Sequence, residues 1–301
     1  MSITESRKTK TYIQLLEECH KGNIEFIKVL IEKYKNTDLL KIWNDLLIEA
    51  CIIENIDIVH LLINTCATDL NSALCHACDS GNLKITKLLI DSGAINFNES
   101  FVYACSGGNI EIVKLLINKE ALTFEKGFEK ACYFKNIDII KYLVDNKKVN
   151  NLNQGVLIIG ISGHKVINYL FEKGATNYDS ALLVLAKYGH LGLIKHLIEK
   201  GKTRHQSMAM EEASRYGHTD VVNYLIFRNA KSWNKSMRNA CEGGYYEIVK
   251  IMLKKGATNL NQCLEIACKL DDGTLNDILL KNGAAFCTVC NTDHIIEEKE
   301  D

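Results

Sequence analysis

Near the end of this 301-residue chain, Cys287, Cys290 and His294 have the spacing of a metal site. A CxxC pair followed by histidine suits zinc, but a closed structural zinc site needs four ligands. No fourth ligand stands close in sequence, and folding would have to bring in Cys263 or Cys268. In a chain with 12 cysteines one such pair carries little weight, so no metal is expected. The nine histidines are scattered. No G-x-S-x-G, phosphate loop, H-E-x-x-H or dinucleotide fingerprint occurs, and the acids do not converge by sequence. Neither catalytic residues nor a cofactor is expected, and the chain does not read as an enzyme.

Most of the cysteines have a plainer chemistry. Cys19, Cys51, Cys78, Cys105, Cys132, Cys241 and Cys268 each stand 12 residues before the end of a Leu/Ile/Val-rich block. Six of them follow an alanine. A small apolar thiol beside a small residue suits a tight helix–helix contact. A row of buried, reduced thiols is expected, which favours a reducing compartment.

The blocks set the architecture. They end at Ile31, Ile63, Ile90, Ile117, Val144, Phe171, Ile198, Ile226, Leu253 and Leu280; the first interval is 32 residues, the seventh 28 and the others 27. A fixed interval in this range marks a solenoid, whose units bury their apolar faces against one another. In Ser72–Ile95, Ala73, Leu74, Ala77 and Cys78 form one apolar helical stripe, and Gly81 ends it. Leu83, Ile85, Leu88, Leu89 and Ile90 form a second stripe, closed by Gly93 and Ala94. Each unit thus reads as two short antiparallel helices, neither stable alone. Acid-first i,i+3 pairs recur on the second helices: Glu25–Lys28, Glu111–Lys114, Asp138–Lys141 and Glu247–Lys250. They read as a solvated back face.

Composition agrees with a folded chain. Hydrophobic residues are 47% and charged residues 24%, proline is absent, and 36 basic against 37 acidic side chains give a net charge of −1. Neither nucleic acid nor a membrane is expected as partner, since both call for a basic face. The polar start has no apolar leader core, and the longest apolar runs are too short to span a bilayer. Cytoplasmic or nuclear residence is expected by default.

The repeat resembles the ankyrin repeat. The likeness is carried by ALCHACDSGNLKITKLLIDSGA (73–94), FVYACSGGNIEIVKLLINKEA (101–121), MEEASRYGHTDVVNYLIFRNA (210–230) and SMRNACEGGYYEIVKIMLKKGA (236–257). The helix-joining pair appears as Gly22-Asn23, Gly81-Asn82, Gly108-Asn109, Gly189-His190 and Gly217-His218, where His190 and His218 read as structural. The resemblance implies an all-α solenoid of about ten helix-turn-helix units, whose function is protein binding. The family period is about 33 residues, so the β-hairpin connections are expected to be shortened or absent. The compact, Asn/Ile/Lys-rich repeat also resembles ankyrin proteins of giant DNA viruses of amoebae. For a viral chain the compartment would be the host cytoplasm.

The expected organisation is a polar segment (1–11), a repeat array (12–284) and a terminal half-unit with an acidic tail (285–301). Trp43, beside the long first interval, is either a core filler or an exposed anchor. Gly160 and Gly163 are expected to loosen the sixth unit. Loss of hairpin tips leaves the first helices as the binding surface. The residues just after each buried small pair should point outward: Asp79 and Ser80, Ser106, Tyr133 and Phe134, Arg215 and Tyr216, Glu242, and Lys269. Tyr133, Arg215 and Tyr216 lead this set by chemistry, while Phe134 and Tyr216 could instead pack between units. The partner is a protein of unstated identity, and the free chain is expected to be monomeric. The alternative reading is a structural or assembly component of a larger complex or virion.

Overall fold

The structure, a computed structural model, describes residues 3–34, 40–159, 164–199, 201, 203–287 and 292–293. Among these residues the chain forms ten pairs of α-helices. The first helices are α1 (Ile3–His20), α3 (Leu40–Ile52), α5 (Leu70–Ser80), α7 (Phe97–Gly107), α9 (Phe124–Phe134), α11 (Leu152–Ile159), α13 (Tyr178–Lys187), α15 (Gln206–Arg215), α17 (Trp233–Glu242) and α19 (Leu260–Lys269). The second helices are α2 (Ile24–Tyr34), α4 (Ile56–Thr65), α6 (Leu83–Asp91), α8 (Ile110–Asn118), α10 (Ile137–Asp145), α12 (His164–Glu172), α14 (Leu191–Glu199), α16 (Thr219–Phe227), α18 (Tyr246–Lys254) and α20 (Gly273–Lys281). Residues 3–11 form the opening turns of α1. The chain divides into two compact units, Met1–Gly155 and Val156–Asp301, with the boundary inside α11.

Within each unit the layout is the same. First helices pack side by side, as α3, α5, α7 and α9 do in the first unit and α13, α15, α17 and α19 in the second. Second helices such as α4, α6, α8, α14 and α16 pack on their own first helices and, more lightly, on neighbouring second helices. The core is the seam between the two layers: Ala77, Cys78, Ile85 and Leu89 in one repeat, and Ala104, Cys105, Ile112 and Leu116 in the next, are all fully buried. Trp43 lies in this core.

The turn between paired helices does two jobs. Asn55, Asn82 and Asn109 cap their second helices, each side-chain oxygen accepting from a backbone N–H three residues on, at 3.1, 3.0 and 3.2 Å. The side chain at this position also bonds to the repeat before it, with or without capping its own helix. The Asn109 amide donates to the Gly81 carbonyl, and the Asn136 amide donates to the carbonyls of Cys105 and Ser106, all at 2.8 Å. His218 holds this structural position through Nε2, 2.8 Å from the Lys187 carbonyl. Before His190 the close approach of the next repeat leaves room only for glycine. A Cβ on Gly189 (φ +73°) would stand 2.5 Å from Nδ1 of His218.

Several second helices end in a Schellman turn. After α6 the Ala94 N–H reaches the Leu89 carbonyl and the Gly93 N–H reaches that of Ile90, at 3.0 Å each. Three repeats place a residue other than glycine at this left-handed position: Glu120 (φ 65°), Lys147 (φ 51°) and Asn229 (φ 67°). Glu120 is exposed. Glu120→Gly is therefore expected to stabilise the first unit by roughly 1 kcal/mol, strain relief exceeding the added unfolded-state entropy. A urea midpoint that falls in the variant would contradict this.

Among the described residues no strand links one repeat to the next. The strands present are two-residue pieces beyond the last helix, β1 (Phe286–Cys287) paired antiparallel with β2 (Thr292–Asp293), a small exception to the all-α expectation. In place of hairpins stands a ladder of side-chain acceptors. The second residue of a first helix accepts from the backbone N–H that opens the next: Asn71 from Ile95 at 2.9 Å, Asn98 from Leu122 at 2.7 Å, Glu125 from Asn150 at 2.8 Å, Asp179 from Arg204 at 2.7 Å. Ser207, Asn234 and Asn261 continue it in the second unit, at 3.0, 2.7 and 3.1 Å. The second residue of α11 is again an asparagine, Asn153.

Candidate protein-binding face

One side of each first helix meets its paired second helix, and the other is open. In α7 the buried set is Ser100, Phe101, Ala104 and Cys105, which leaves Glu99, Val102, Tyr103 and Ser106 facing out. All seven proposed contact residues fall on first helices at or just past their last turn. Asp79 is exposed and accepts a hydrogen bond from the Ser106 hydroxyl at 2.6 Å. Tyr133 and Phe134 are 67% and 51% exposed, packed edge to face with ring centres 5.1 Å apart. Arg215 donates to the Asn239 side chain at 3.4 Å, and the Lys187 ammonium lies over the Tyr216 ring at 5.3 Å. Glu242 accepts from Arg238 at 3.1 Å, and Lys269 is exposed.

These residues do not form one described patch. Asp79, Tyr133 and Phe134 belong to the first unit; Arg215, Tyr216, Glu242 and Lys269 belong to the second. Within the first unit Asp79, Ser106 and Phe134 come together at one end of an open groove of about 640 Å³. Its middle is made by Val102 and Tyr103 of α7, and one wall by Lys126 and Lys130 of α9. Sequence reasoning missed these four residues. Counting back by three and four from Ser106, and by four and eight from Phe134, would have found them, because those steps stay on one helical face.

The thiol row lies beneath this face and is closed to it. Cys19, Cys51, Cys78, Cys105, Cys132 and Cys241 are buried, while Cys268 is half-buried with its sulfur 3.8 Å from the Asn276 side chain. Burial pushes the Cys51 and Cys78 thiols up to about 12 and Cys19 up to about 11, and raises Cys105 and Cys132 further, because a thiolate there would lose its solvation. At neutral pH they are unreactive packing groups. The back face carries the expected pairs Glu25–Lys28 at 2.7 Å and Glu111–Lys114 at 2.9 Å.

A family profile described as ankyrin repeats, three copies, matches residues 15–100 and again 101–180, more than half of the chain. The chain belongs to the ankyrin-repeat family. Stacked helix pairs of this family are a protein-interaction architecture and carry no catalytic step. Comparison with curated proteins finds no match. Among the described residues no group of three or more His, Cys, Asp or Glu side chains is placed to hold a metal. Cys290 and His294 lie outside the described residues. No described helix is long and apolar enough to cross a membrane. In this ankyrin chain the familiar hairpin is replaced by the acceptor ladder. Gly160 and Gly163, expected to loosen the sixth repeat, lie outside the described residues.

Proposed function

We propose that the repeat array, residues 12–284, is a protein-binding scaffold that works through its first-helix face. Asp79, Tyr133, Phe134, Arg215, Tyr216, Glu242 and Lys269 are its contact residues. The observation that carries this reading is the exposure of two large rings, Tyr133 and Phe134, on the last turn of a rigid helix. Aromatic and arginine side chains dominate interface hot spots, and a preformed helix presents them at low entropic cost. The mechanism is surface complementarity without a chemical step. The buried thiols support work in a reducing compartment, cytoplasm or nucleus, or host cytoplasm for a chain of viral origin.

The test is affinity capture from native extract with the full chain, followed by alanine variants. Tyr133→Ala, Arg215→Ala and Tyr216→Ala are each expected to weaken binding by roughly tenfold or more, the range of interface hot spots. Circular dichroism and melting should not change. Normal binding in these variants, with loss on reversing Glu25–Lys28 and Glu111–Lys114, would move the working surface to the second helices. Recovery of the chain only within large regular assemblies would favour the alternative role as a structural component of a complex or virion.

A further inference from the structure

The groove of the first unit combines three features that point to one kind of occupant. Its wall on α9 holds Lys126 and Lys130, both exposed, on one helix face and without an ion-pair partner among the described residues. Four residues apart on a helix, the two ammonium groups sit on a rise of about 6 Å. Across the groove Asn96 donates to Glu99 at 2.6 Å and Ser106 to Asp79; both carboxylates keep their charge, so the positive charge is confined to the α9 wall. Glu129, between the lysines in sequence, is not part of the lining.

The second feature is the apolar surface beside the lysines. Val102, Tyr103 and Phe134 line the groove, and Phe134 is half exposed. The third is the rim. Ile95 and Leu122 are 72% and 71% exposed, and the residue after each, Asn96 and Thr123, lines the groove. Their backbone N–H groups are held by the Asn71 and Asn98 rungs. Exposed aliphatic groups beside unpaired cations favour a ligand that brings both apolar contact and negative charge.

We propose that this groove takes an acidic segment of a partner protein, with two carboxylates about 6 Å apart on Lys126 and Lys130 and a neighbouring aliphatic or aromatic side chain on Val102, Tyr103 and Phe134. This rests on the first-helix reading above and names the chemistry of its partner. Its occupant is a protein segment because the apolar surface and rim would gain nothing from a free anion.

The test uses the full chain and short fluorescein-labelled peptides in a fluorescence anisotropy titration. One peptide carries Glu with Leu and Phe; in a second every Glu is Lys; in a third Leu and Phe are Ser. The first should bind at least about tenfold more tightly than either control, with affinity falling as salt is added. Lys126→Glu combined with Lys130→Glu should cost about tenfold or more, while Lys254→Glu, exposed on a second helix, changes nothing. Equal affinity for the three peptides, or an unchanged double variant, overturns the proposal. So does self-association in sedimentation that the double variant abolishes while no peptide binds, which would give the groove to a second copy of the chain. If the double variant still captures the natural partner and Tyr133→Ala does not, the acidic-segment proposal fails while the first-helix face stands.

Discussion

Gly127→Ser should destabilise the first unit by roughly 3 kcal/mol, and Phe101→Leu should recover a large part of that loss. A Cβ at Gly127 would stand 2.3 Å from Cε1 of Phe101 and 2.9 Å from the Cys105 sulfur. Phe101 is fully buried and cannot swing into solvent. One repeat later the arrangement recurs, with a Cβ at Gly155 falling 2.5 Å from Cζ of Phe128. One repeat earlier the corresponding residues are Leu74 and Ser100, a smaller side chain opposite a larger one. Large is thus set against small at these three interfaces between neighbouring repeats. Phe101→Leu with Gly127→Ser copies the Leu74–Ser100 combination. Urea unfolding of the four-member cycle should give a coupling of about 1–3 kcal/mol. Additive effects would mean the two positions do not meet.

The second large effect is alkaline. An unfolded cysteine titrates near 8.5, whereas the folded array holds Cys51 and Cys78 up to about 12. Between these values the unfolded chain releases protons that the folded chain keeps. Stability is therefore complete below about pH 8.5 and falls above it, by about 1.4 kcal/mol per pH unit for each buried thiol. By pH 10 each has cost about 2 kcal/mol. Cys19, Cys51, Cys78, Cys105 and Cys132 together then approach the whole stability of a typical domain. The first unit should unfold near this pH under reducing conditions. Cys105→Ala keeps a small side chain where Ala186 stands in a later repeat. Its loss of stability between pH 8 and pH 10 should be smaller than that of the unchanged chain by about 2 kcal/mol. An identical loss would contradict this.

Much of the fold is legible from one repeat. The 27-residue interval, the Gly-Asn turns and the phase of Cys51, Cys78 and Cys105 specify helix pairs and their shared seam. Two features are not legible there because they join residues from different repeats. The fit of Phe101 to Gly127 becomes visible only when neighbouring first helices are set side by side. The acceptor ladder keeps position but changes chemistry, from Asn71 and Asn98 to Glu125, Asp179 and Ser207, so that residue identity hides it while hydrogen-bonding capacity reveals it. The binding face divides similarly. Asp79, Tyr133 and Arg215 follow from their place after a buried pair, but that rule samples only the last turn. Lys126, Lys130 and Tyr103 lie one and two turns back on the same face. The separation of Tyr133 from Arg215 and Tyr216 into different units has no local signal in the sequence.

Hydrogen–deuterium exchange of the full chain, with and without its captured partner, tests the binding face most directly. The predicted result is slowed exchange in the last turns of first helices, above all at Tyr133 and Phe134 of α9 and at Arg215 and Tyr216, with the second helices unchanged. Slowed exchange confined to second helices such as α8 and α18, with α9 and α15 unaffected, would contradict it.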